Sequence, residues 1–123
     1  MGKRVLVFGT FDGIHPGHEF FLRSAKGRGT ELIVGVARDV HVVKFKDRKP
    51  TQPQEKRMKA VEGLAYVDGV KLCDEEPSTF KIIDDVAPDL IVLGHDQTDL
   101  EQALIAWMTT SGHYVPMMRT KKV

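Results

Sequence analysis

The sequence has a single cysteine, Cys73, in 123 residues, so no intrachain disulfide forms, and no Cys/Cys or Cys/His spacing suggests a structural zinc. Cys73 follows Val70-Lys71-Leu72 in a short strand-like run and reads as a small buried hydrophobe. No stretch of about 20 apolar residues is present to span a bilayer. An excess of one charge is missing too: 18 Lys+Arg against 17 Asp+Glu leave a net +1, which argues against a generic nucleic-acid binder. The apolar run after Met1-Gly2-Lys3-Arg4 is too short for a signal peptide. Leu6 stands where a myristoylation motif needs Ser or Thr. These absences predict a cytoplasmic protein that partners neither nucleic acid nor membrane; a homodimer is compatible with them. What is present, 41% hydrophobic and 28% charged residues, excludes a disordered chain, and the length predicts one domain over 1–123.

Val5-Leu6-Val7-Phe8 before Gly9, Leu32-Ile33-Val34-Gly35-Val36, and Leu90-Ile91-Val92-Leu93 before Gly94 have the continuous apolarity of strands buried on both faces. Val70 to Cys73 predicts a shorter strand. Val115-Pro116-Met117-Met118 predicts an edge strand, because Pro116 has no N–H for a central ladder. Helices are predicted over 16–25, about 54–64, 78–86 and about 98–110. In the first, Pro16 suits the opening position, Gly27 and Gly29 end the element, and Phe20, Phe21 and Ala25, with Leu22 beside them, supply its apolar face. In the last, Thr98 and Glu101 have capping-box spacing, and Trp107 lies on the apolar side with Leu100 and Leu104. Residues 38–51 read as basic and irregular. This alternation predicts an α/β fold, a Rossmann-like doubly wound parallel sheet of five strands with helices on both faces. Ligands of such sheets bind at the carboxyl ends of the strands.

After the first strand comes Gly9-Thr10-Phe11-Asp12-Gly13-Ile14-His15-Pro16-Gly17-His18. It is neither a dinucleotide fingerprint nor a Gly-Lys-Ser/Thr phosphate loop. With Pro16 at the first helical position, His15 is the cap and His18 the third helical residue, so both imidazoles overhang one helix N-terminus. That end presents unpaired N–H groups and positive partial charge, and Gly17 leaves the backbone open to close approach. Ring donors, amides and dipole together make an anion site, with phosphate its natural occupant. The blander alternative is that the two histidines only cap a helix. A zinc site built with Asp12 lacks a convincing further ligand. After the second strand, Lys44 and Lys46 flank Phe45, with Arg38, Arg48 and Lys49 nearby. They are either a solvated face or mobile clamps on a polyphosphate. Arg57 serves the same purpose or pairs with a carboxylate such as Glu55 or Glu62. After the fourth strand, His95, Asp96 and Gln97 present polar groups suited to a ribose or a base. His41 and His113 read as ordinary surface residues.

Gly9-Thr10-Phe11-Asp12 followed by His15-Pro16-Gly17-His18 resembles the nucleotide-binding signature of the cytidylyltransferase-like nucleotidyltransferases. Three further stretches are similar to the archaeal FAD synthases (FMN adenylyltransferases) within that superfamily. They are Val36-Ala37-Arg38-Asp39, Lys44-x-Lys46-x-Arg48-Lys49-Pro50, and Pro88-Asp89 through His95-Asp96-Gln97; the resemblance covers residues 4 to about 98. It implies strand order 3-2-1-4-5 and transfer of AMP from ATP to FMN with release of pyrophosphate. It also implies that Gly9, Thr10, Phe11, Pro16 and Gly17 hold ATP along the loop, that His15 and His18 bind its phosphates, and that Asp96 contacts the nucleoside. Lys44, Lys46, Arg57 and Arg119 are the expected phosphate-binding cations, with Lys44 catalytic beside the two histidines. Members of the family continue past the last strand into a Ser/Thr-rich segment. Here Arg119-Thr120-Lys121-Lys122-Val123 stands in its place, so either a tail is missing or the protein does without it.

The expected chemistry needs no general base, because a phosphomonoester acceptor with a second pKa of about 6 is largely dianionic at neutral pH. It needs in-line alignment and neutralisation of the charge on the α-phosphate and the leaving pyrophosphate. A divalent ion, Mg²⁺, is expected to bridge the phosphates and keep most of its waters. Two other functions compete. One is a cytidylyltransferase acting on glycerol 3-phosphate or a related alcohol or sugar phosphate. The other is a non-catalytic nucleotide-binding module that kept the anion site.

Overall fold

The computed structural model describes residues 2–46, 48–76 and 79–120, with the backbone alone for 44–46. Five strands, β1 (Arg4–Gly9), β2 (Glu31–Val36), β3 (Gly69–Leu72), β4 (Leu90–Leu93) and β5 (Met117–Arg119), form one parallel sheet in the order β3-β2-β1-β4-β5. The expected strand order is therefore observed. Helices α1 (Pro16–Lys26), α2 (Asp39–Lys46), α3 (Gln54–Glu62), α4 (Lys81–Val86) and α5 (Thr98–Ser111) connect the strands.

Strand residues alternate between two cores. Val5, Val7 and Val92 point to one face and pack with Leu22 and Ala25 of α1 and Val61 of α3. Leu6, Ile91 and Leu93 point to the other, where Ile83 of α4 and Leu104 of α5 cover them. Burial on both faces is why these strands lack a polar alternation. β1 and β4 are neighbours although their connections leave in opposite directions. The gap beyond their carboxyl ends is the switch point where such sheets take ligands.

Several local expectations needed correction. The stretch read as irregular contains α2, whose three valines have poor intrinsic helix propensity. Only Val42 of them is buried, and Gln54 Oε1 holds the Asp39 N–H at 2.9 Å. Tertiary contact, not local pattern, makes that helix. On α1, Leu22 and Ala25 are buried and Phe21 packs against the first core, but Phe20 is 43% exposed. The α5 capping box does not form, because Thr98 and Glu101 both bind Arg119, and Gln97 takes the cap position with its side chain turned to the strand ends instead of the helix amides. α4 is shorter than expected, and the expected start, Ser78, lies outside the described residues. Asp74 caps α4 from the preceding loop, accepting from the Lys81 and Ile82 amides at 2.5 and 3.0 Å. Trp107 packs against the second core edge-on to Phe80, and Cys73 joins the same cluster. Burial pushes the Cys73 thiol up to about 12, away from the thiolate form.

Candidate functional site

The turn after β1 forms as its residue types dictate. His15 is extended (φ −132°, ψ 171°) and caps α1, with Pro16 at the first helical position. The Gly17 N–H donates to His15 Nδ1 at 3.1 Å, and the His15 N–H donates to His18 Nδ1 at 3.3 Å. A backbone N–H can only donate, so both Nδ1 atoms are acceptors and each neutral ring carries its proton on Nε2. The two rings stack with centroids 3.7 Å apart, and the edge of Phe11 abuts His18 at 5.4 Å. Phe11 is left-handed at φ 53° and only 3% exposed. An L residue rarely adopts that conformation without tertiary support, which here is burial of its ring in the first core. The histidines therefore cap the helix through Nδ1, and each neutral ring keeps an N–H on its opposite side.

Asp12 belongs to the scaffold of this turn. Its Oδ2 accepts from the Thr51 N–H at 2.7 Å and its Oδ1 from the Gln52 N–H at 2.9 Å. The Thr51 bond is the main cause holding its carboxyl below the ordinary carboxylate value. Both oxygens are thus occupied, and no group of three or more His, Cys, Asp or Glu able to hold a metal occurs among the described residues. Arg57 is fully buried beneath the turn, not in the crevice. It donates to Thr10 O at 2.7 Å, to Gln52 O at 3.1 Å and to Asp39 Oδ1 at 2.7 Å. Its carboxylate partner is Asp39 rather than Glu55 or Glu62, because the side chain points inward from α3.

Beyond β4, Gly94, His95 and Asp96 line the crevice opposite the histidines. Gln97 Oε1 accepts from the Gly94 N–H at 2.7 Å, and its Nε2 donates to Phe8 O at 2.9 Å, which ties the ends of β4 and β1 together. Arg119 turns away onto the start of α5. It pairs with Glu101 at 2.7 Å and donates to His95 O at 3.1 Å, while Thr120 lines the crevice at that strand end. That ion pair lowers the Glu101 carboxyl and raises the Arg119 guanidinium. The side chains of Lys44 and Lys46 lie outside the described part of the structure, although their backbone belongs to α2. Arg48, beside Asp12, also lines the crevice, which has a volume of about 670 Å³.

A second cavity of about 400 Å³ adjoins the first, and Phe8, Gly9, Thr10 and Gln97 line both. Phe80, Ile82, Leu100 and Ala103 give it an apolar wall, and His41 and Asp74 stand on its polar side. His41, expected to be an ordinary surface residue, has its Nε2 2.7 Å from Glu75 O. Sequence reasoning missed this cavity because its wall is assembled from β1, α4 and α5, which are far apart in the chain.

An open parallel sheet with a histidine-capped helix end at its switch point, beside two adjoining cavities, has the architecture of a nucleotide-type α/β fold. A family model described as cytidylyltransferase-like matches residues 6–118, and the chain belongs to that family. Curated relatives named FAD synthase include one from Archaeoglobus fulgidus, 54% identical over 92 residues, a match covering 75% of this chain and 65% of that protein. Another, from Methanohalophilus mahii, is 41% identical over 119 residues, 97% of this chain and 82% of that protein. A third, from Ferroglobus placidus, is 50% identical over 95 residues, 77% of this chain and 60% of that protein. The chain thus matches a little under two thirds of the first and third of these relatives. A crystal structure of a protein described as a lipopolysaccharide core biosynthesis protein from Thermoplasma volcanium superposes with a TM-score of 0.88 at 32% identity, covering 100% of this chain and 99% of that one.

No helix among the described residues is long and apolar enough to cross a membrane.

Proposed function

We propose that this chain is an FMN adenylyltransferase that transfers AMP from ATP to FMN and releases pyrophosphate. The observation that carries the reading is the junction of the two cavities at Phe8-Gly9-Thr10 and Gln97. ATP occupies the crevice, with its phosphates on the Nε2 donors of His15 and His18 and the α1 N-terminus. The loop of Gly9, Thr10 and Phe11 supports it, with Pro16 and Gly17 opening the helix and Asp96 near the nucleoside. The apolar cavity takes the flavin ring, and the FMN phosphate then meets the α-phosphate at the shared wall. A phosphate oxygen of FMN forms the new bond to Pα while the Pα–O bond to pyrophosphate breaks. The acceptor is already an anion, so no base removes a proton. The two imidazoles and the helix end instead stabilise charge on the phosphates. Lys44 and Lys46 are proposed as further phosphate cations, with Lys44 at the transfer step. Mg²⁺ is proposed to arrive on the nucleotide's phosphates, where it would add positive charge. The cytoplasm is the proposed compartment.

The apolar wall also separates the acceptors. An aromatic system that buries about 150–250 Å² gains roughly 4–6 kcal/mol at about 25 cal/mol/Å², a gain that glycerol 3-phosphate forgoes. The test is pyrophosphate release from ATP and CTP against FMN, glycerol 3-phosphate and sugar phosphates. ATP with FMN is the expected productive pair. CTP with glycerol 3-phosphate would replace the reading with a cytidylyltransferase, and nucleotide binding without any turnover would make the chain a binding module. Ala103→Phe, which narrows the second cavity, should raise the KM for FMN while leaving that for ATP within about twofold.

A further inference from the structure

Asp12 presents a puzzle that the proposed reaction does not resolve. It is a carboxylate in the wall of a crevice built for a polyanion, and by charge alone it should weaken binding there. Its side chain is 10% exposed, and its oxygens take the amides of Thr51 and Gln52 rather than any group in the turn itself. Those amides belong to the connection between α2 and α3, some 40 residues further along the chain. Arg57 grips the same connection from the other side through Gln52 O. Gln52 is thus held by its N–H and its C=O at once, and the connection cannot shift without breaking bonds to the turn. Arg48, four residues upstream, is carried by this clamp. It lines the crevice with a side chain 60% exposed, and its Nη1 stands 3.9 Å from Asp12 Oδ2, the outer limit of an ion pair.

We infer that Asp12 is a positioning residue that holds Arg48 over the crevice, and that Arg48 is a further cation for the phosphates of the bound nucleotide. The inference rests on the nucleotide half of the proposed function and not on the acceptor. Asp12 orients the guanidinium without using up its donors, because 3.9 Å is too long for a hydrogen bond. The remaining N–H groups of a planar fork suit phosphate oxygens. The adverse charge of Asp12 is offset by the two amides and by the arginine it orients.

A double-mutant cycle on the full chain tests this, with binding of α,β-methylene ATP and Mg²⁺ read by isothermal titration. A hydrogen bond to a charged group is worth about 1.5–3 kcal/mol, so an exposed one places the expected loss for Arg48→Ala at about tenfold, the low end of that range. Arg48→Lys should recover only part of it. Asp12→Asn should also weaken binding several-fold, although it removes a negative charge from the crevice. In the Arg48→Ala background the same substitution should cost less than about twofold, since the residue it acts through is gone. A purely structural Asp12 predicts equal losses in both backgrounds, and a purely electrostatic one predicts tighter binding; either result overturns the inference, as does Arg48→Ala binding within twofold of wild type. If Asp12→Asn does not fold, Asp12→Glu, which keeps the charge but displaces the connection, goes through the same cycle, and equal losses in both backgrounds or no loss in either overturns the inference. Because the analogue binds without FMN, a wrong acceptor leaves the cycle readable. Wild-type protein that fails to bind the analogue at all would overturn both the nucleotide reading and this inference.

Discussion

Replacing Arg57 by Met asks whether this arginine serves a phosphate or the fold. Its guanidinium is fully buried and makes three hydrogen bonds, to Thr10 O, Gln52 O and Asp39 Oδ1. Methionine fills much of the volume but leaves two carbonyls and a carboxylate without that donor. A buried ion pair broken on one side costs about 3–5 kcal/mol, and each buried acceptor left unsatisfied about 1–3 kcal/mol. Asp39 is 35% exposed and regains water, which moves the total to the lower end, about 3 kcal/mol. An unfolding entropy of roughly 2.1 cal/mol/K per residue over this length turns that into a fall in Tm of about 12 °C. Thermal unfolding followed by far-UV circular dichroism and calorimetry measures it. Arg57→Lys, which keeps the charge and part of the bonding, should fall between. If Arg57→Met melts within about 2 °C of wild type while losing ATP affinity, the guanidinium works on phosphate and the geometric argument is wrong.

Three further outcomes follow from other parts of the molecule. His18→Gln should retain the cap on His15, since glutamine suits the third helical position, yet lose the imidazole Nε2 donor; kcat should fall about 10²–10³-fold with little change in Tm, and near-normal turnover removes His18 from the chemistry. Gly9→Ala places a Cβ 2.6 Å from the ring of the buried Phe11, so it should destabilise by about 1–3 kcal/mol and weaken nucleotide binding; a neutral effect in both assays would show that the ring yields. Asp68, held by Lys26 and the Leu32 amide, titrates below its ordinary value. A lowered folded-state pKa contributes stability above the unfolded value of about 3.9 that is lost as pH falls through the folded one. Tm should therefore drop below about pH 4, less steeply in Asp68→Asn, and parallel curves for the two proteins would refute this.

The sequence by itself determined most of what depends on residues close together in the chain; the Thr98–Glu101 cap is an exception, because Arg119 takes both side chains. The unbroken apolar runs at Val5–Phe8 and Leu90–Leu93 specify strands covered on both faces, and the alternation with helices specifies a parallel sheet, whose strand order came from the family resemblance. The spacing of His15, Pro16 and His18 specifies the capped helix end with two imidazoles over it, because a cap is made within four residues. Tertiary structure decided where the long side chains go. Arg57, Arg119 and Asp12 all looked available to a phosphate or a metal. Folding brought Thr10 O and Asp39 to the first, Glu101 to the second, and the amides of Thr51 and Gln52 to the third. α2 and the apolar second cavity belong to the same class. Val42 is buried and Asp39 at the start of α2 is tied to Gln54 and Arg57, and the cavity wall joins Phe8 to Phe80, Leu100 and Ala103. Local pattern encodes backbone conformation and which face is apolar. The partner of a flexible charged side chain is selected only when distant segments meet and exclude water, and that selection separated the groups that build this site from those left to face its ligands.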